Sequence, residues 1–186
     1  DIQERMRQGK GPAYERWAKV YNLKQMAAAL QYLKEHQLFE YDDLAAKTDA
    51  ATELFHTLAG DIQQTEVELS RVSDLMAAVV QYAKTRPAFD GYKAAKYSRK
   101  YLAEHEAVLA DYRAAKATMA ELLGGEKLPK MDVLKEKRRQ LAARKKALYL
   151  EYRKAQQDMR ELVAVKGSVD HLRGLTDNQR NKEQAR

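Results

Sequence analysis

Cysteine is missing from all 186 residues, and with it go a disulfide framework, zinc ribbons and thiol catalysis. Three prolines and eight glycines leave few residues to punctuate the chain, and runs of Val, Ile and Thr in period-two alternation are absent, which argues against a sheet. No run of about 18 apolar residues exists to span a bilayer, and the opening Asp1-Ile2-Gln3-Glu4-Arg5 has the wrong chemistry for a signal peptide. A reducing, cytoplasmic location is the expectation. The chain begins at Asp1 instead of Met, as expected of a segment cut from a longer protein.

Catalytic constellations are missing as well. His36, His56, His105 and His171 stand isolated, with no HxH or HExxH spacing to hold a metal. Gly9-Lys10-Gly11 is too short to cradle a phosphate, and Walker-type or dinucleotide glycine clusters do not occur. The eleven tyrosines have no metal or base set beside them in sequence, so they read as packing residues with a wet hydroxyl end. No catalytic residue, metal site or cofactor is expected, and the chain is not expected to be an enzyme.

What is present is the composition of long helices: 33% charged residues with abundant Ala, Leu, Lys, Glu, Gln and Arg. Pro12 suits a first helical turn, and Tyr14, Trp17, Val20 and Tyr21 recur at helical spacing; Asn22 is expected to cap a second short helix carrying Leu23, Met26, Leu30 and Leu33. Leu38, Phe39 and Tyr41 form a connector. From about 42 to 83 Leu44, Ala51, Leu58, Thr65, Val72 and Val79 fall seven apart, with Phe55, Ile62, Leu69 and Met76 on the same side. Such a repeat is a coiled-coil seam. Gly60 sits inside it at a cost of about 1 kcal/mol relative to Ala.

Thr85 and Pro87 are expected to restart the chain as a short helix to about Lys96, and Ser98 to open another carrying Tyr101, Leu102, His105, Val108, Leu109, Tyr112, Met119 and Leu122, which Gly124-Gly125 stops. A second seam then runs from 131 to 172 through Leu134, Leu141, Leu148, Ala155, Leu162 and Val169, flanked by Tyr152 and Met159, with Gly167 a candidate early end. The two seams have equal length, roughly 63 Å each at ~1.5 Å per residue. The expected fold is therefore all-α: an antiparallel coiled-coil hairpin over 42–174, with residues 86–123 folded into the connection. Residues 1–41 supply short helices, and 175–186 a polar, disordered tail. Pairing of the long helices between chains, giving a homodimer, is the competing arrangement.

Charge is divided along this scheme. Residues 40–74 carry nine acidic side chains against Lys47 and Arg71, a net of −7, whereas 130–154 carry ten basic against three acidic, a net of +7. Setting 42 opposite 172 places 135–146 opposite 79–68, where few acids stand. Lys135, Lys137, Arg138, Arg139, Arg144, Lys145 and Lys146 are then expected to stay largely unpaired, at the same end as Lys84, Arg86, Lys93, Lys96, Arg99 and Lys100. With Tyr92, Tyr97 and Tyr101 nearby, the seven cations of 135–146 together with Lys93, Lys96, Arg99 and Lys100 are the candidate nucleic-acid-binding residues, because neutralising phosphates releases condensed counterions. A solvated coiled-coil exterior with a purely structural or oligomerising role is the alternative. No zinc finger or RRM motif is present to read bases.

The stretch Gly11-Pro12-Ala13-Tyr14-Glu15-Arg16-Trp17-Ala18-Lys19-Val20-Tyr21-Asn22-Leu23-Lys24-Gln25-Met26 resembles the segment that follows the nuclease domain in MobA/VirD2-type relaxases, the mobilisation nucleases of bacterial conjugative elements. Tyr82-Ala83-Lys84-Thr85, Glu151-Tyr152-Arg153-Lys154-Ala155, Met159-Arg160-Glu161-Leu162 and Val169-Asp170 extend the resemblance over most of the chain. The family implies a metal-dependent, tyrosine-nucleophile DNA strand transferase. Its histidine cluster and sheet signature are not in this sequence, so no catalytic residue carries over. The resemblance implies a C-terminal helical region that grips DNA or docks onto a protein of the transfer machinery.

Overall fold

The computed structural model describes the backbone of residues 11–184 and the side chains of 16 and 18–174. Helices account for 89% of the structure. Five occur among the described residues: α1 (Gly11–Glu35), α2 (Tyr41–Ala94), α3 (Arg99–Glu104), α4 (Glu106–Leu123) and α5 (Met131–Gln184). No strand occurs among the described residues, and none of these helices is long and apolar enough to cross a membrane. The chain divides into two compact units, the first comprising Asp1–Ala59 with Glu151–Arg186 and the second Gly60–Leu150.

In the first unit α1 and the ends of the two long helices share a core of Ala29, Leu44, Leu162 and Val165, with Tyr32, Leu33, Leu38, Ala51 and Val169 packed around it. The Tyr41 hydroxyl donates to Asp170 at 2.6 Å, and the Phe55 and Tyr152 rings lie 5.0 Å apart. Partners on α5 thus descend as α2 ascends, so the two segments run antiparallel within this unit. Lys166 pairs with Asp170 at 2.9 Å, while the Arg173 guanidinium lies 3.9 Å from the Tyr41 ring centre. That aromatic face attracts cations through its quadrupole.

In the second unit Val72, Leu75 and Met76 of α2 meet Leu134 and Leu141 of α5, and α4 closes the cluster with Met119, Leu122 and Leu123. Tyr112 of α4 is buried and stacks on Phe89 at 4.3 Å and on Tyr82 at 5.2 Å. The Arg71 guanidinium donates to the Leu122 carbonyl through Nε at 3.2 Å and also through Nη2. That carbonyl belongs to the last turn of α4, which has no intrahelical donor, and a cation is favoured at that end of the dipole.

Both expected seams are buried or half-buried along their length, from Leu44 to Val79 and from Leu134 to Val169. Threonine is tolerated on this face of α2 for a local reason. Thr48, Thr65 and Thr85 are buried, and each donates its hydroxyl to the carbonyl four residues earlier at 2.7 Å, leaving no orphan.

Four expected boundaries fall elsewhere. Asn22 lies half-buried inside a single α1 and caps nothing. Pro87 sits within α2, which continues to Ala94; losing one backbone donor and gaining a ring clash costs about 3 kcal/mol, and packing of Tyr82 and Phe89 on Tyr112 holds the helix on both sides. The expected Ser98–Leu122 helix is broken at His105 (φ −124°, ψ 21°), whose ring stacks on Tyr101 at 4.0 Å. Gly167 does not stop α5, whose backbone stays helical to Gln184, through most of the stretch expected to be disordered. Gly124, at φ +58°, ends α4 in the left-handed region as expected. The side chains of Tyr14 and Trp17, residues 1–10 and the side chains of 175–186 lie outside the described residues.

Gly91 has a role that spacing alone does not reveal: a Cβ there would collide with the Tyr101 hydroxyl, whereas nothing lies within 4 Å of one at Gly60. Gly60→Ala is expected to stabilise the chain by roughly 0.5–1 kcal/mol, raising the thermal midpoint by about 2–4 °C per kcal/mol. Gly91→Ala is expected to fall short of that gain, because the hydroxyl end of Tyr101 must swing aside to admit the methyl group. Thermal unfolding followed by circular dichroism checks both; equal stabilisation by the two substitutions would show that Tyr101 does not sit over Gly91.

Candidate nucleic-acid interface

α5 must bury Leu134 and Leu141, so every residue three or four positions from that seam lies on one of its two flanks. Lys135, Arg138, Arg139, Ala142, Lys145 and Lys146 follow the spacing 3, 4 and 7 along one flank. Lys137 and Arg144 fall on the other. Lys135, Arg138, Arg139 and Ala142 line a groove whose opposite wall is Leu69 and Ser73 of α2. Ala142 leaves space that a longer side chain would fill. The stripe from Lys135 to Lys146 spans about 16 Å at ~1.5 Å per residue.

Pairing within the stripe is uneven. Lys145 is half-buried and pairs with Glu66 of α2 at 2.8 Å, correcting the expectation that it stays free. The hydrogen bond raises the lysine pKa and lowers that of Glu66, to which Tyr149 also donates at 3.2 Å. Arg139 is likewise tethered, donating through Nε and Nη2 to Glu136 at 2.9 and 2.8 Å, and Gln140 adds a third bond to the same carboxylate. Those bonds, Arg139 first and Gln140 second, hold Glu136 down to about 2. Lys135, Arg138 and Lys146, with Lys137 and Arg144 on the other flank, are exposed and make no ion pair among the described residues.

The second group of candidates does not join this stripe. Val79 packs on the edge of the core shared with α5, and α2 runs on from there to Ala94, about 22 Å further at ~1.5 Å per residue. Lys93, Lys96, Arg99 and Lys100 surround the turn beyond it, all exposed. Lys93 lies 5.1 Å above the Phe89 ring. Lys96 and Tyr97 are consecutive non-glycine residues at positive φ, 48° and 60°, a geometry that costs roughly 1–2 kcal/mol per residue. It is held by the Tyr97 amide bonded to the Tyr92 carbonyl at 3.0 Å and by the Tyr92 and Tyr97 rings meeting edge to face at 5.2 Å. The expected single basic end is therefore two separate basic patches in the second unit.

Sequence spacing contained the Glu136–Arg139–Gln140 tether, at i+3 and i+4, as an ordinary helical pair pattern. It did not contain the Lys145–Glu66 bridge, which depends on the register between two helices. Among the described residues no group of three or more His, Asp or Glu side chains converges to hold a metal ion.

A group held at low pKa contributes stability that is present above its unfolded value and lost as pH falls through the folded one. For Glu136 that window runs from 4.5 down to about 2. A carboxyl NMR titration is expected to place its midpoint near the lower end. Arg139→Ala should move it most of the way to the ordinary value and Gln140→Ala by less; a midpoint unmoved by Arg139→Ala would show that no such tether holds the carboxylate.

No protein-family model, curated protein or solved structure matches this chain.

Proposed function

We propose that this chain is a non-catalytic helical module that binds the phosphate backbone of DNA through the basic flank of α5, as part of a conjugative relaxase. The observation that carries the reading is the flank of α5 bearing Lys135, Arg138 and Lys146, exposed and without ion pairs among the described residues, the first two lining with Ala142 a groove whose opposite wall is Leu69 and Ser73. Unpaired cations in a row can each neutralise a phosphate and release its condensed counterion, whereas paired ones must first give up their carboxylate. Lys166 and Arg173 illustrate the second case, being engaged by Asp170 and Tyr41.

The relaxase assignment rests on the resemblance around Gly11–Met26 and along both seams. In this reading the nicking chemistry belongs to a nuclease domain outside this chain, the location is cytoplasmic, and within each unit the seams pack as an antiparallel coiled coil. Base reading is not part of it, since phosphate contacts position a duplex without specifying sequence. A purely structural coiled-coil role, docking a protein of the transfer machinery, is the reading that stands if nucleic acid does not bind.

Binding of a mixed-sequence duplex across a salt series is expected to give a linear log–log dependence with little sequence preference. Lys135→Glu with Arg138→Glu should reduce the magnitude of its slope by about 2, near 0.9 for each phosphate left without its cation. The same charge change at Lys137 and Arg144 should reduce it by less. Glu136→Gln, which releases Arg139 and removes a negative charge, should tighten binding. DNA incubated with the chain and divalent metal ions should stay uncut. Equal effects of the two double reversals, or no retardation of DNA at low salt, would remove nucleic acid and leave the docking role.

A further inference from the structure

α1 turns its buried face inward through Ala18, Ala29, Tyr32 and Leu33. Its opposite face is not polar, as the outer face of a surface helix usually is. Val20, Leu23 and Leu30 fall on one stripe with Ala27 between them, and the three large side chains are 52%, 66% and 60% exposed. Cations frame this stripe: Arg16 and Lys34 at its two ends, Lys19 and Lys24 along its edges, all exposed.

The same unit carries the complementary surface. The first turns of α2 bury Leu44, Thr48 and Leu58, so their outer face presents Asp42, Asp43, Asp49 and Glu53 around the small residues Ala46 and Ala50, with Leu54 53% exposed beside them. Alanines let a second helix approach closely, and Leu54 gives it an apolar contact. None of these four cations or four carboxylates makes an ion pair among the described residues.

We infer that the first unit is a homodimerisation surface, in which the Val20–Leu23–Leu30 stripe of one copy packs on the Ala46–Ala50–Leu54 face of a second, with Lys19 and Lys24 meeting Asp49 and Glu53. Because each copy holds both faces, a two-fold axis satisfies the contact twice, as in any isologous pair. The buried apolar centre supplies affinity, and the framing charges set partner and register. This surface differs from the long seams, which are filled within the chain, and it does not depend on the nucleic-acid reading. A dimer brings two basic stripes to one particle.

The complementarity gives a test that unspecific association would fail. Sedimentation velocity of the full chain at low salt is expected to show a dimer that weakens as salt rises. One variant, Lys19→Glu with Lys24→Glu, sets acid against acid at both contacts, and a second, Asp49→Lys with Glu53→Lys, sets base against base. Each alone should raise the dimer Kd by more than about tenfold, with helicity by circular dichroism unchanged. Mixed one to one, the two variants should dimerise again, because the mixed pair regains opposite charges at one contact and reverses them together at the other. Leu23→Glu with Leu30→Glu should leave a helical monomer. A wild-type chain that stays monomeric at its solubility limit, a mixture that stays monomeric, or a monomer that uses the α1 stripe to bind vesicles of anionic lipid would each overturn the inference.

Discussion

The structure depends on the burial of one narrow apolar stripe along each long helix. A seam repeating every seven residues buries only two or three positions per repeat, so Leu44, Leu58, Ile62, Val72 and Met76 on α2, and Leu134, Leu141, Ala155 and Leu162 on α5, carry the packing. Most remaining positions are released to solvent. A chain with 33% charged residues can therefore fold without burying an unpaired charge, and the sign of those charges can be sorted along the helices at little cost to stability. The acidic stretch on α2 and the basic stretch on α5 follow from this freedom.

Burial also explains which boundaries a sequence discloses. Seven-residue periodicity marks the seams because the same residues must repeatedly meet the core. Gly124 marks the end of α4 because few other residues adopt its left-handed backbone cheaply. Asn22 and Pro87 misled for the same reason: they are local signals, and local preferences of about 1–3 kcal/mol are overridden when the neighbouring turns are held by tertiary contacts. The break at His105 has the opposite origin, since the helical spacing of Tyr101, His105, Val108 and Leu109 runs unbroken through it. What distinguishes that position is its own side chain, whose ring stacks on Tyr101 and whose Nδ1 lies 3.1 Å from the Tyr101 carbonyl.

The candidate interface was legible as a set of residues and less so as a surface. Net charge per segment is a property of composition, so the cations of 130–154 stand out in the amino-acid sequence alone. Which of them remain available depends on reach between helices. Lys145 is drawn to Glu66 across the packed helices α2 and α5, while Lys135, one turn from Arg139, meets no carboxylate in an ion pair among the described residues. The separation of the Lys93–Lys100 turn from the α5 stripe has a similar cause: α2 outruns the core it shares with α5, and a seam pattern that fades at Val79 does not say that the helix continues on different partners, here Tyr112 through Tyr82 and Phe89.

The proposed function assigns phosphate to one flank of α5, and not to the charge of that helix as a whole. Lysine-reactivity footprinting of the full chain, with and without saturating duplex DNA at low salt, addresses this residue by residue. Lys135 and Lys146 are predicted to be protected and Lys137 to stay reactive on the same helix. Protection of Lys137 equal to that of Lys135 and Lys146, or no protection on α5 at all, would contradict the assignment.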